Sequence, residues 1–236
     1  MKKGKLWVFG DSYGQLPGKD DFEKLKDQLW IPMLAEKLNH SNFYNICHNG
    51  AANEWSYYNF VNNIHLINAK EDTIVFIVTQ IHRQWFFYDN IGVSNHYMSG
   101  IEEYVDKDKA TAIRYYQKYL SDNPQDLIRA QWFLYSLEMI KLKQAYNMIV
   151  LPGFRENDLD YGNSIGCLFD VCVNEIKGKT MEAWRNWLTS KPRSGADPRT
   201  GHLSIDNHKI LAEKLYNSVV HNQVLDLSKD FKEEIL

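Results

Sequence analysis

Apolar runs of strand length alternate with stretches of helical periodicity along the first third of the chain. The runs span residues 6–9, 43–47 and Thr73–Val78, and the last of these is apolar at every position after Thr73. Between the runs, apolar residues recur every three or four positions over 22–38 and 55–67, with Pro32 expected to kink or restart the first helix. Strands that alternate with helices predict a three-layer α/β/α sandwich around a mainly parallel sheet.

The second half of the chain is less regular. Residues 81–104 are rich in aromatic side chains without a clear period, and helical periodicity returns over 110–120 and 125–144. A fourth strand is predicted at 148–151, the pattern over 154–180 indicates loops, and helices follow at Met181–Leu188 and 205–220. We therefore expect a single domain over 1–236, in which an insertion at about 85–145 forms a lid or one wall of a cleft.

Composition excludes several classes of protein. Of 236 residues, 44% are hydrophobic and 24% are charged, as in globular domains, and the net charge of -3 argues against a nucleic-acid partner. No run reaches the roughly 18 apolar residues that a membrane span needs. Three cysteines without a framework spacing predict free thiols. The apolar run near Met1 is too short for a signal peptide, so we expect a cytoplasmic protein, or a virion-associated one if a phage encodes it.

A tight turn follows the first predicted strand and carries a candidate nucleophile. Gly10, Asp11 and Ser12 end the apolar run, and open α/β sheets bind their ligands at the carboxyl ends of such strands. The Ser12 hydroxyl is therefore well placed to attack a substrate. The alternative is a plain strand-to-helix turn in which Asp11 or Ser12 is the N-cap of a helix.

His202 is the candidate base for this nucleophile, because a serine hydroxyl needs a neighbouring group to take its proton. His202 follows a loop rich in Pro, Gly and Ser and precedes the last predicted helix, so the loop can present the imidazole to a strand end. Asp197, five residues earlier, is placed to orient the ring and to stabilise its cation. His202 and His208 lack the spacing of a helical zinc site, and we expect neither a metal nor a cofactor.

At these residues the chain resembles the SGNH/GDSL hydrolases, a family of serine esterases and lipases. Members begin with Gly-Asp-Ser after the first strand, as at 10–12, and carry a glycine block after the second strand, which Gly50-Ala51-Ala52-Asn53 resembles. Their last block places the catalytic histidine before Leu-Ser and an apolar helix, as His202-Leu203-Ser204 does here. The resemblance implies the flavodoxin-like fold of this family and the hydrolysis of an ester.

The resemblance also implies roles for individual residues. The catalytic triad would consist of Ser12, His202 and Asp197. The groups implied for the oxyanion are the backbone N–H of Ser12, the backbone N–H of Gly50 and the side-chain amide of Gln80. The other residues assigned to the oxyanion and substrate site are Asp11, Asn53 and Arg83.

Departures from the family pattern bear on activity. Members have a Gly-x-Asn-Asp block after the third strand, whereas this chain has the sequence Val-Thr-Gln-Ile at positions 78–81. Gln80 would then take the place of the asparagine that binds the oxyanion. The family aspartate precedes the histidine by three residues, where this chain has Arg199, and Asn207 replaces a glycine of the last block. The pair Thr79 and Arg83 resembles a phage-associated branch of the family.

From this pattern we expect a serine hydrolase that cleaves an O-acyl or O-acetyl ester, with small-molecule or carbohydrate esters as substrates. The alternative is a catalytically inactive scaffold of the same fold that binds glycans or forms part of a virion. His82 and Arg83, next to the third strand, are either contacts for a substrate anion or a partly exposed surface pair.

Overall fold

The computed structural model shows an α/β protein built around a four-stranded parallel sheet. It describes residues 4–85, 93–94, 111, 114–115, 118–119, 124–156, 159–188 and 202–234. The strands are β1 (Lys5–Gly10), β2 (Asn42–Cys47), β3 (Thr73–Val78), β4 (Gln84–Trp85), β5 (Val93–Ser94), β6 (Asn147–Pro152), β7 (Ser164–Ile165) and β8 (Leu225–Asp226). The central sheet has the order β2-β1-β3-β6, and each of its neighbouring pairs is parallel. The α/β class and the mainly parallel sheet predicted from the sequence are thus confirmed.

The helices connect these strands. They are α1 (Lys19–Leu25), α2 (Trp30–Lys37), α3 (Asn53–Asn63), α4 (Pro124–Gln144), α5 (Leu168–Asn174), α6 (Met181–Leu188) and α7 (Ile205–His221). Short 3-10 turns occupy Lys26–Gln28 and Ile64–Leu66. No helix in the described part of the chain combines the length and the apolar character that a bilayer crossing requires.

The order of the strands creates a switch point between β1 and β3. The chain passes from β1 to β2 on one side and then returns across β1 to place β3 on the other side. Because all four strands run in the same direction, they end at one edge of the sheet, where open α/β sheets bind ligands. We call this edge, with the loops that follow Gly10, Cys47, Val78 and Pro152, the carboxyl edge.

Apolar side chains fill both faces of the sheet because successive strand residues point in opposite directions. One face packs the side chains of Leu6, Val8, Val75 and Ile77 against helices that supply Trp30, Leu34, Val171, Leu211 and Leu215. The other face packs Trp7, Phe9, Ile74 and Phe76 against helices that supply Phe60, Ala130, Leu134 and Leu137. All six residues of β3 are buried, as expected of a central parallel strand.

The first predicted helix is divided in two, and the break lies before the proline. Leu29 has an extended backbone with ψ 141°, and it separates the 3-10 turn from α2. Pro32 lies in the first turn of α2, where a missing N–H removes no helical hydrogen bond. The proline is therefore compatible with the helix start, and the break follows from the extended conformation of Leu29.

Two parts of the second half differ from the sequence-based expectation. Residues 154–180, predicted as loops, contain α5 and the short strand β7, which pairs in parallel with β8. Helix α4, assigned to the insertion at 85–145, joins the segment after β3 to β6 and packs its buried residues onto the sheet. Most of the remaining residues of that insertion, 86–92 and 95–123, lie outside the described residues.

The cysteines are free thiols, as the sequence predicts. Cys167 and Cys172 are buried, and Cys47 is half-buried. Burial raises the pKa of Cys167 to about 12, so this thiol stays protonated at neutral pH.

A buried carboxylate joins the starts of β1 and β3 at the edge opposite the carboxyl edge. Asp72 accepts hydrogen bonds from the Lys5 backbone N–H at 2.8 Å, from Trp7 Nε1 at 2.9 Å and from the Asn68 backbone N–H at 3.0 Å. The residue is only 4% exposed, so water cannot replace these bonds. Asp72 therefore fixes the register at which the two central strands begin.

Replacing Asp72 by alanine leaves these three donors without their acceptor. We expect Asp72→Ala to lower the free energy of unfolding by about 3 kcal/mol, because each unsatisfied buried donor carries a desolvation cost. Urea denaturation measures the change. Asp21→Ala removes an exposed carboxylate that lies 3.7 Å from Lys24 and is the matched control, with an expected change of less than about 0.5 kcal/mol. Equal effects of the two variants would contradict this role of Asp72.

Candidate functional site

A tight turn at the end of β1 carries Ser12. Gly10 has φ +152°, and a Cβ at this position would lie 2.5 Å from Cβ of Ile77, so only glycine fits. The chain then turns through a bond from the Gly14 N–H to the Asp11 carbonyl at 3.1 Å. Ser12 is half-buried in this turn. The next helix, α1, has Gly18 as its N-cap, so neither Asp11 nor Ser12 caps a helix and that alternative is wrong.

The Asp11 carboxylate is the centre of a buried hydrogen-bond network. It is 0% exposed, and its Oδ2 accepts from Thr79 Oγ1 at 2.7 Å and from Arg83 Nη1 at 2.9 Å. Its Oδ1 accepts from the Tyr13 backbone N–H at 3.1 Å. One carboxylate thereby joins the turn after β1 to the segment after β3.

The start of α3, directly after the loop that follows β2, is attached to the same network through Asn53. The Asn53 amide accepts from the Thr79 N–H at 2.9 Å and donates to the Thr79 carbonyl at 3.2 Å. Arg83 also donates to the Ala51 carbonyl at 3.4 Å. Three loops of the carboxyl edge are therefore held together by side-chain bonds.

These contacts bear on three residues that the sequence assigned to the substrate site. Side-chain hydrogen bonds connect Asp11 with Thr79 and Arg83, and Asn53 with Thr79, across neighbouring loops of the protein. Arg83 is buried rather than partly exposed, so it is not a surface residue. We assign these three side chains to positioning the turn that carries Ser12. In the sequence, Thr79 and Arg83 were linked only by their spacing, which resembles a phage-associated branch of the family. In the structure, both side chains donate to the same oxygen, Asp11 Oδ2.

Gly50 and Gln80 both follow strands at the carboxyl edge. Gly50 lies in the turn between β2 and α3 and has φ +73°, a conformation that favours glycine. This turn is closed by a bond from the Ala51 N–H to the His48 carbonyl at 3.0 Å. Gln80 comes two residues after the last residue of β3 and is half-buried. The structure thus brings both predicted oxyanion residues to the edge at which Ser12 lies.

His202 reaches this edge from the distant end of the chain. It is half-buried before α7, and its ring packs edge-on against Tyr13 with ring centroids 5.6 Å apart. A hydrogen bond from Trp30 Nε1 to the backbone carbonyl of Tyr13, at 3.1 Å, fixes the position of Tyr13. Burial raises the pKa of Tyr13 well above its ordinary value, so the phenol beside the imidazole is neutral. Asp197, the predicted third member of the triad, lies outside the described residues.

An aromatic residue after β6 also packs against Tyr13 of this turn. The Phe154 ring lies 5.6 Å from the Tyr13 ring and 5.3 Å from the guanidinium carbon of Arg83. The Gly153 N–H donates to the Val78 carbonyl at 2.9 Å, which fixes this segment to the end of β3. Tyr13 therefore contacts both the Phe154 ring and the His202 ring.

Glu175 anchors the segment that carries His202, and the sequence analysis did not identify it. Its carboxylate is 0% exposed and accepts from the Ser204 N–H at 2.9 Å and from Ser204 Oγ at 2.9 Å. It also accepts from Asn207 Nδ2. Ser204 is the N-cap of α7 and accepts from the Asn207 N–H. These bonds fix the backbone two residues after His202.

Asn207 extends this anchor to the C-terminal segment. Its amide donates to the Lys232 carbonyl at 2.9 Å and accepts from the Lys232 N–H at 2.7 Å. Asn207 stands where the family pattern has a glycine, and its side chain holds the C-terminal segment against the start of α7. The one sequence signal for Glu175 is an acidic residue in an apolar context, which by itself does not single it out.

A second polar cluster lies between the segment after β3, α3 and α4. Asp126 lies 3.5 Å from His82 Nδ1 and accepts from Arg129 Nη2 at 2.8 Å. Arg129 Nε lies 3.1 Å from Glu54, whose pKa is raised by burial against the opposing effect of Arg129. His82 is thus paired within the protein. Over the described residues, no group of three or more His, Cys, Asp or Glu side chains is arranged to hold a metal ion.

The Asp11–Arg83 pair generates a test of the network. Arg83→Met leaves the buried Asp11 charge without its cation, and we expect it to lower the free energy of unfolding by about 3–5 kcal/mol. Asp11→Asn combined with Arg83→Met removes both charges and is expected to cost less than the sum of the two single variants. Urea denaturation of all three variants measures this coupling. Lys24→Met, at an exposed ion pair, is the control. Additive costs would show that the two side chains do not interact.

The Glu175 anchor generates a second test. Glu175→Gln turns one acceptor oxygen into a donor that faces the donors of Ser204 and Asn207, and we expect a loss of about 2 kcal/mol. Hydrogen exchange of the Ser204 amide is expected to accelerate together with this loss. Glu182→Gln, at an exposed residue of α6, is the control. An unchanged exchange rate at Ser204 would contradict the anchoring role.

Comparison of the sequence with known proteins assigns no family to the chain. No family model matches it, and no curated protein matches it. The site is therefore described by its own geometry: a serine turn after β1, a buried network around Asp11, and a histidine brought from the other end of the chain against Tyr13.

Proposed function

We propose that the protein is a serine ester hydrolase of the SGNH/GDSL type, with the three-layer arrangement of that family. Ser12 is the nucleophile, His202 is the base, and Asp197 orients the imidazole. The observation that carries the proposal is the contact between the His202 ring and Tyr13, the neighbour of Ser12, with ring centroids 5.6 Å apart. Ser12 and His202, which are 190 positions apart in sequence, come from separate elements to one edge of the sheet.

The reaction begins with attack of Ser12 Oγ on the carbonyl carbon of the ester. His202 takes the hydroxyl proton as the new C–O bond forms, and the carbonyl oxygen becomes an oxyanion. His202 then returns the proton to the leaving alcohol as the ester C–O bond breaks. A water molecule attacks the acyl-enzyme with His202 again as base, which releases the carboxylic acid and restores the Ser12 hydroxyl.

The oxyanion is stabilised by donors of the carboxyl edge. The proposed donors are the backbone N–H groups of Ser12 and Gly50 and the side-chain amide of Gln80. Each such donor contributes about 10²–10³-fold in rate when it points to the developing charge. The network of Asp11, Thr79 and Arg83 supports this role, because it holds the loops that carry the donors and so limits their reorganisation during the reaction.

The proposed substrate is a small O-acyl ester, with carbohydrate O-acetyl esters as the leading class. Aromatic rings beside the carboxyl edge support this class, since sugar rings stack on aromatic faces. Trp55 lies 5.8 Å from the His48 ring at the start of α3, and the half-exposed Tyr58 lies 5.1 Å from Trp85. The bulky Tyr13 and Phe154 rings pack together beside Ser12, and we expect them to favour a short acyl group.

Ester hydrolysis by a Ser12 variant tests the proposal directly. We expect Ser12→Ala to lower the hydrolysis of p-nitrophenyl acetate by about 10³-fold or more and to abolish labelling by a fluorophosphonate. His202→Gln is expected to lower the rate to a similar extent, because the hydroxyl then lacks its base. Ser41→Ala, an exposed serine next to the start of β2 at the opposite edge, is the matched control and should retain full activity.

The outcomes separate an enzyme from a binding module. Loss of turnover and of labelling in Ser12→Ala, with both retained in Ser41→Ala, supports the serine hydrolase. Absence of both turnover and labelling in the unmodified protein contradicts it and favours the glycan-binding or virion-associated alternative.

A further inference from the structure

The outer face of α4 is apolar, although the helix already buries its opposite face on the sheet. Ala130, Leu134 and Leu137 point to the core. On the other side, Trp132 is 71% exposed and Tyr135 is 67% exposed. A surface helix ordinarily presents polar residues there, so this second apolar face requires a separate explanation.

The exposed residues form a straight line along the helix. Ile128, Trp132, Tyr135 and Leu142 are all exposed, and the half-buried Met139 completes the line. Successive members are separated by four, three, four and three positions, which is an average spacing of about 3.5 residues. This is the period of a coiled-coil seam rather than the broader stripe of a helix that packs on a globular core. We call these five residues the α4 seam.

Charged residues beside the α4 seam indicate what covers it. The seven positions of a coiled-coil heptad are lettered a to g, with a and d in the seam. When Trp132 and Met139 are placed at position a, Glu138 falls at position g and Lys143 at position e. When two parallel helices pair, each g residue faces the e residue of the following heptad on its partner, so Glu138 meets Lys143 of a second copy.

We infer that α4 is the interface of a parallel homodimer, in which the α4 seams of two copies pack against each other. The same surface on both copies is self-complementary, as a two-fold axis requires. The seam spans 15 residues from 128 to 142, a length of roughly 21 Å at 1.5 Å per residue, so that each copy contributes five side chains of one helix. The dimer is therefore a reversible one, and its population depends on protein concentration.

Sedimentation velocity over a wide range of protein concentration tests this interface. We expect the unmodified protein to shift from monomer to dimer with concentration, and Trp132→Glu to remain monomeric throughout. Leu66→Glu is the matched control, because Leu66 is 52% exposed and lies outside α4. Thermal unfolding of each variant checks that the fold is retained. A monomer at every concentration for the unmodified protein would overturn the inference, as would a dimer that Trp132→Glu leaves unchanged.

A charge exchange tests the pairing of Glu138 with Lys143. Glu138→Lys is expected to weaken dimerisation by about fivefold, because two symmetric ion pairs become like-charged pairs. The double variant Glu138→Lys with Lys143→Glu is expected to restore the original affinity. Failure of the double variant to recover affinity would contradict this register.

Cross-linking tests the parallel direction. Ile128→Cys is expected to form a covalent dimer on mild oxidation, because a parallel pair places the two introduced thiols opposite each other. An antiparallel pair separates them by most of the seam. The unmodified protein, which has three free cysteines, is the control for background oxidation. No covalent dimer above that background would overturn the parallel arrangement.

Discussion

The buried ion pair between Asp11 and Arg83 is the interaction on which the carboxyl edge depends. A carboxylate with no exposed surface is stable only when cations and hydrogen-bond donors replace its water, and here Arg83, Thr79 and the Tyr13 N–H do so. These donors come from the loops after β1 and β3. Satisfying one carboxylate therefore fixes the relative position of both loops, and Ser12 lies between Asp11 and Tyr13 in the fixed turn.

Two further buried carboxylates act in the same way elsewhere in the fold. Asp72 joins the starts of β1 and β3, and Glu175 joins α5 to the start of α7. In each case the partners are far apart in sequence, so the carboxylate removes freedom that the apolar core alone would leave. A core of aliphatic and aromatic side chains tolerates small shifts, whereas a hydrogen bond between buried groups requires a defined geometry. Such rigidity is what a preorganised catalytic site needs.

Much of the framework was predictable, and the reasons are local. Thr73–Val78 is apolar at nearly every position, and this pattern identified a buried central strand with the observed bounds. The last helix was predicted at 205–220 and extends over Ile205–His221, because its apolar period and its Ser204 cap are both short-range signals. Helix α5 escaped prediction because seven residues show too few turns of a period. Membership of the SGNH/GDSL family stays a prediction from the resemblance of short motifs.

By itself the sequence determined the class of fold, the strand after which the serine turn occurs, and the last helix, which His202 precedes. Hydrophobic periodicity and turn residues decide these features, and both act over a few neighbouring positions. Only the tertiary structure decided what each polar side chain binds. Arg83 and Asn53 proved to hold loops together, Glu175 proved to anchor the segment after His202, and His202 came to lie against Tyr13. Those partners are separated by 26 to 189 positions in sequence. The partners at the carboxyl edge meet because the connection from β2 to β3 passes β1 and places β3 on its other side.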